Sequence, residues 1–112
     1  MEVQPREIQS YSKPDGKVPF DEWLDSLHDF KGKAKIVRRL ERVSGGNLGD
    51  CQSLGEGVWE LRIDFGPGYR VYFGQVEAII VLLLCGGDKS TQDTDIRTAK
   101  KYWEEYRSRE NA

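Results

Sequence analysis

Three cations are placed by spacing rather than by a contiguous motif: Arg62 and Arg70 flank a Gly66-Pro67-Gly68 reversal, and Lys89 follows an apolar run that ends in Cys85-Gly86-Gly87. An arginine keeps its charge at any physiological pH, and its planar fork can hold a pair of phosphate oxygens. Two arginines on one surface beside a lysine would make a phosphate-binding site. Tyr72, Glu60 and Asp88 lie nearby in sequence. The same residues also fit a second arrangement, in which Arg62 pairs with Glu60, Asp64 or another acid as a surface salt bridge of small energetic consequence.

Strands must position these side chains. Val58 to Asp64 alternates, with Trp59, Leu61 and Ile63 on one side and Glu60, Arg62 and Asp64 on the other. After the turn, Tyr69, Val71 and Phe73 line one face, opposite Arg70 and Tyr72. If both apolar rows cover the core, Arg62, Arg70 and Tyr72 share the open face of the sheet. The run Ile79 to Leu84 is apolar at both parities, so it is expected to be covered on both faces and central. Its exit through Gly86-Gly87 permits a sharp or unusual backbone path.

Around this meander the pattern predicts supporting elements. A first short strand lies within Val3 to Tyr11, with Pro5 near its start, followed by a turn at Lys13–Lys17. Phe20, Trp23, Leu24 and Leu27 have the spacing of one helix face, and that helix should stop before Gly32. A second helix, from Lys33 to Val43, turns Ile36, Val37, Leu40 and Val43 inward. The stretch Lys31–Arg42 carries Lys31, Lys33, Lys35, Arg38, Arg39 and Arg42 against Glu41, a net of +5. That row is either a solvated face or a landing surface for a phosphate backbone or an acidic partner. Asn47 to Glu56 reads as loop. A last helix, capped by Ser90 with Asp93 or by Thr91, buries Ile96, Ala99, Trp103 and Tyr106 and frays from Arg107 to Ala112. The expected fold is α+β: a small, mostly antiparallel sheet packed with a helical hairpin and a C-terminal helix, in one domain of residues 1–112.

Composition narrows the function. A net charge of −2 and a pI near 5.5 argue against non-specific coating of nucleic acid. The longest apolar run, Ala78 to Cys85, is too short to span a bilayer as a helix, and the N-terminus lacks the succession of a signal peptide, so a cytoplasmic protein is expected. Cys51 and Cys85 read as buried or idle thiols, and His28 as a surface or capping residue. Metal-type clusters, a nucleophile elbow, a phosphate-binding glycine loop and a CxxC pair are all missing, so no metal or cofactor is expected.

The succession GVWELRIDFGPGYRVYFG followed by VLLLCGGDKSTQ, together with PFDEWLDSL, the basic second helix and DIRTAKKYW, resembles the toxins of the RelE/ParE superfamily of bacterial type II toxin–antitoxin systems. The nearest pattern is the HigB-like branch of addiction module killer proteins. This resemblance implies a RelE-like fold and a ribosome-dependent mRNA interferase, an endoribonuclease acting without metal by attack of an RNA 2′-OH on the adjacent phosphate. It also implies neutralisation by a cognate antitoxin, a small helix-turn-helix protein. On the matching positions Arg70 stabilises the transition state, Arg62 holds phosphate, and Lys89 stabilises the leaving oxygen or moves a proton. Tyr72, Asp88 and Lys89 are the candidates for proton transfer, with no base assigned. Lys31, Lys35, Arg38, Arg39 and Arg42 are the candidates for contact with RNA or antitoxin. Two other readings accompany this one: a toxin of the same fold that inhibits DNA gyrase, and an antitoxin-binding protein without activity.

Overall fold

The computed structural model describes residues 4–110. The alternating segments form the expected meander: β3 (Val58–Ile63) pairs antiparallel with β4 (Tyr69–Val76), and β4 pairs antiparallel with β5 (Ile80–Asp88). The first strand, β1 (Glu7–Ser10), lies parallel to β5; Val3, the start of the predicted segment, is outside the described residues. A strand not predicted, β2 (Cys51–Ser53), forms within the expected loop and pairs antiparallel with the outer edge of β3. The order β1-β5-β4-β3-β2 makes β4, not β5, the middle strand. β5 is nonetheless interior, and Val81 to Cys85 are all buried, as their two-sided apolar character requires.

Helices cover both faces. α1 (Pro19–Ser26) and α2 (Phe30–Ser44) pack through Phe20, Ile36 and Val43 onto Leu61, Ile63, Tyr69, Val71 and Phe73. On the other face α3 (Gln92–Glu110) sets Ala99 and Trp103 against Val58, Tyr72, Leu82 and Leu84. Strand parity is therefore as predicted, but the face shared by Arg62, Arg70 and Tyr72 is not open: α3 lies across most of it. α3 also continues past Arg107, where fraying was expected, because Arg109 Nη2 donates to the Ser12 carbonyl at 3.0 Å and Tyr11 donates to Glu105. Asn111 and Ala112 are outside the described residues.

Two expectations about side chains are overturned by the packing. Gly86 and Gly87 are regular strand residues of β5, not a special backbone exit. Their role is close approach: a Cβ on Gly86 would stand 2.2 Å from the Trp23 ring, and one on Gly87 1.9 Å from the Asp95 carboxylate. Val37, predicted to be core, is 40% exposed, and Phe30 is 81% exposed. The buried row of α2 is Gly32, Ile36, Arg39 and Val43, a spacing of three to four residues that leaves Phe30, Ala34 and Val37 on the outer side.

Asp29 ties the helical layer to the sheet. Its carboxylate caps α2 by accepting the Gly32 N–H at 2.9 Å, and it accepts the Tyr69 hydroxyl at 2.8 Å. The Gly32 bond first, then the Tyr69 bond, hold this carboxyl below its ordinary value of 3.8. Burial, then the same bond, push Tyr69 up to about 12. A depressed carboxylate contributes stability that is present above its unfolded pKa and lost as pH falls through the folded one. Acidification below about pH 4 should therefore destabilise the wild type more steeply than Asp29→Asn, which keeps a cap acceptor but has no charge to titrate. Urea denaturation from pH 6 to pH 2.5 measures both slopes, and equal slopes would remove this role for Asp29.

Candidate functional site

Arg62 and Arg70 are direct cross-strand neighbours, and Gly87 stands opposite Arg70 on β5. The Gly66-Pro67-Gly68 turn closes the end of this row, with Gly68 at φ +81°. A Cβ added there would lie 3.5 Å from Arg70 Nη1 and 3.6 Å from Lys89 Cβ, so both residues pack close to the turn. The three cations line one concave pocket of about 250 Å³, walled also by Asp50, Asp64 and the turn itself. It sits at the end of the sheet face that α3 leaves uncovered. A larger hollow of about 460 Å³ between Glu56 and the α3 residues Lys100, Trp103, Glu104, Arg107 and Ser108 contains neither sheet arginine; the smaller one holds the concentrated charge and is the candidate site.

Each cation is held differently. Arg62 donates from Nε to Glu60 Oε1 at 2.8 Å and from Nη2 to Gln52 Oε1 at 2.5 Å, and its side chain remains 38% exposed. The bond to Glu60 raises the already high pKa of this guanidinium, so it stays charged. Arg70 is almost buried, donates from Nη1 to the Tyr69 carbonyl at 3.1 Å, and keeps an Nε without a hydrogen-bond partner among the described residues. Lys89 is exposed at the start of a 3-10 turn, Lys89–Thr91, that leads into α3.

The two other residues predicted to serve proton transfer occupy different surroundings. Tyr72 has the expected parity but is 0% exposed beneath α3, with its hydroxyl unpartnered among the described residues. Burial first, then the charges of Glu60 and Asp95, push its pKa well up, which opposes a tyrosinate base. Asp88 supplies the cap that was assigned to Ser90 or Thr91: its carboxylate accepts the Ser90 N–H at 2.8 Å, and the Thr91 hydroxyl accepts the Asp88 N–H at 3.3 Å. Asp88 is not part of the pocket wall. The exposed carboxylates that are part of it, Asp50 and Asp64, stand beside the cations instead. Asp64 shares the parity of Arg62 and was visible in the alternation. Asp50 comes from a loop whose path no local pattern specifies.

The basic helix divides in the same way. Lys31, Lys35, Arg38 and Arg42 are exposed on α2. Arg39 is not: only 8% exposed, it donates to the carbonyls of Arg62 at 2.6 Å, Leu48 at 2.9 Å and Asp50 at 2.7 Å. It is thereby excluded as a contact for RNA or antitoxin and becomes the clamp that holds the pocket's far wall. A shallow apolar strip formed by Phe30, Ala34 and Val37 is bordered by Lys33, Arg38 and Glu41.

Among the described residues no His, Cys, Asp and Glu side chains gather as a metal site, and no helix is long and apolar enough to cross a membrane. Cys51 and Cys85 are free; burial pushes the Cys85 thiol up to about 12.

A family model described as "Phage derived protein Gp49-like (DUF891)" matches residues 22–106. An uncharacterized protein of Haemophilus influenzae (strain ATCC 51907 / DSM 11121 / KW20 / Rd) is 53% identical over 83 residues, which is 74% of this chain and 84% of the relative. The matched family segment contains α2, the whole meander and most of α3, and with them Arg62, Arg70 and Lys89.

Proposed function

Because the chain belongs to the phage-derived Gp49-like family, a RelE/toxin-like family, we propose that it is the HigB-like toxin of a toxin–antitoxin module and cuts mRNA on the ribosome as a single toxin domain. The observation that carries this reading is the convergence of Arg62, Arg70 and Lys89 on one pocket beside exposed carboxylates. A phosphodiester seated there meets two guanidiniums that can stabilise the charge building on its non-bridging oxygens. The RNA 2′-oxygen gives its proton to a base and attacks the phosphorus. The bond to the 5′-oxygen breaks, leaving a cyclic phosphate, and the departing oxygen takes a proton, for which Lys89 is the donor. Asp50 and Asp64 are the wall residues able to accept the first proton.

Antitoxin contact falls on the outer side of α2. Phe30 and Val37 offer apolar area bordered by Lys33, Arg38 and Glu41, and Lys31, Lys35 and Arg42 are exposed on the same helix. This combination suits an acidic amphipathic segment better than RNA alone, which has no use for the aliphatic part of the strip.

One induction experiment tests both parts. After expression of the wild type, mapping of mRNA 5′ ends should reveal new ends inside translated reading frames; growth arrest with intact mRNA and altered DNA supercoiling would transfer the assignment to gyrase inhibition, and no arrest at all to an inactive antitoxin-binding protein. Co-expression of the cognate antitoxin should abolish the new ends, and Phe30→Asp should restore them. Unimpaired neutralisation of Phe30→Asp would exclude the α2 surface.

A further inference from the structure

Arg62 and Arg70 face one another directly across β3 and β4, an arrangement of like charges that is unfavourable unless something lies between them. What lies there is Glu60, two residues before Arg62 on the same strand and the same face. Its side chain is 0% exposed. One oxygen, Oε1, accepts from Arg62 Nε at 2.8 Å and stands 3.9 Å from Arg70 Nε. The other, Oε2, accepts from Gln92 Nε2 at 2.8 Å, the first residue of α3. A fully buried carboxylate is costly unless its oxygens are satisfied, and here both are, by one sheet arginine and one helix amide.

The distribution of donors explains what this achieves. Glu60 engages the Nε of Arg62, and Gln52 one proton of its Nη2; Arg62 Nη1 has no partner among the described residues. Arg70 is tied through Nη1 to the Tyr69 carbonyl, and its Nη2 has no partner among the described residues. Arg62 is therefore fixed at its Nε edge, and Arg70 through Nη1, with its Nε 3.9 Å from Glu60 and without a hydrogen bond among the described residues, while N–H groups of both remain available to a ligand. Glu60 itself is not part of the pocket wall.

We infer that Glu60 is a positioning residue, whose buried carboxylate fixes the guanidinium of Arg62 and screens it from Arg70 so that both can address one phosphate. The inference rests on the ribonuclease reading for its kinetic consequence but not for its structural one. Glu60 touches neither RNA nor the reacting atoms; it acts through the arginines.

A mere charge effect and a positioning effect have opposite signs here. Removing an anion beneath a phosphate site makes the site more positive and should tighten binding, whereas releasing the arginines should slow the chemistry, because misplacement by an ångström can cost about 100-fold. Single-turnover cleavage of mRNA on programmed ribosomes separates the two. The rate at saturating protein is expected to fall about 10-fold in Glu60→Gln, which keeps the shape but only one of the two acceptor oxygens, and about 100-fold in Glu60→Ala. The half-saturating concentration should be unchanged or lower in both. Thermal unfolding reports whether each variant folds, and Glu60→Gln, nearly isosteric, keeps the test open if Glu60→Ala does not. A Glu60→Gln protein that cleaves at the wild-type rate overturns the inference. If the wild type itself does not cleave, the ribonuclease reading fails, and Glu60 is judged by titration with inorganic phosphate, followed on the Nε–Hε resonances of Arg62 and Arg70. Concerted shifts in the wild type that become independent in Glu60→Gln support positioning; identical responses in the two proteins refute it.

Discussion

Arg70→Ala is expected to lower the rate of mRNA cleavage on programmed ribosomes by about 10² to 10³-fold, the usual consequence of removing one preorganised donor from a developing oxyanion. The size of the effect follows from how Arg70 is held. It is only 8% exposed, anchored at Nη1 by the Tyr69 carbonyl, and packed, like Lys89, close to the Gly68 turn. Little reorganisation is needed when charge develops, and the low-dielectric surroundings make the interaction stronger than the same pair in water. Arg62, with a side chain 38% exposed and donors already given to Glu60 and Gln52, should matter less. Arg70→Lys provides the second measurement: it keeps the charge but not the fork, so its rate should fall between those of wild type and Arg70→Ala. Denaturation midpoints of both variants separate chemistry from folding. A folded Arg70→Ala protein that cuts at the wild-type rate would remove Arg70 from the mechanism.

The parts of this site that could be read from the sequence are those governed by local periodicity. Because side chains alternate along a strand, the placement of Glu60, Arg62, Asp64, Arg70 and Tyr72 on one face followed from parity alone, and the register confirms it by setting Arg62 opposite Arg70. The resemblance of the ELRID–GPGYRVYF–GGDKSTQ succession to RelE-type toxins led to the same three cations, and the family match is consistent with it. What parity does not contain is which helix returns to cover a face. α3 begins beyond the last strand and buries Tyr72 while leaving Arg62 and Lys89 accessible, a consequence of tertiary packing over a long sequence separation. Gly87 shows the same limit. Its glycine type was visible, but the reason for it, the Asp95 carboxylate pressed against β5, was not. The third strand of the meander was recognised as buried on both sides, whereas its neighbour β1 and the distant β2 decided that β4 would be the middle of the sheet.

Arg39 is the case in which residue type and periodicity gave opposite answers, and periodicity was right. It stands three residues after Ile36 and four before Val43, within the buried row of α2, yet its charge groups it with Arg38 and Arg42. Its guanidinium reaches three carbonyls, those of Leu48, Asp50 and Arg62. These oxygens belong to a loop and to a strand end that no continuous ladder joins at this point, although the Arg62 N–H also donates to the Asp50 carbonyl at 3.0 Å. One planar donor set thus holds the backbone on both sides of the pocket wall that carries Arg62 and Asp50. Hydrogen bonds from a charged group contribute about 1.5 to 3 kcal/mol each, and water can replace part of them where the loop is exposed. Arg39→Met, which keeps the apolar stem but leaves the Leu48 and Arg62 carbonyls without this donor and the Asp50 carbonyl with only the Arg62 N–H, should cost about 3 kcal/mol in urea denaturation. Arg39→Lys should recover only part of this, since an ammonium cannot span three acceptors in one plane. By contrast Arg38→Met, on the exposed side of the same helix, should fall within about 0.5 kcal/mol of wild type. Equal stabilities for the Arg38 and Arg39 variants would show that the three bonds contribute nothing to stability. Because Arg62 and Asp50 lose their common donor, Arg39→Met should also slow cleavage on programmed ribosomes at temperatures where the fold persists.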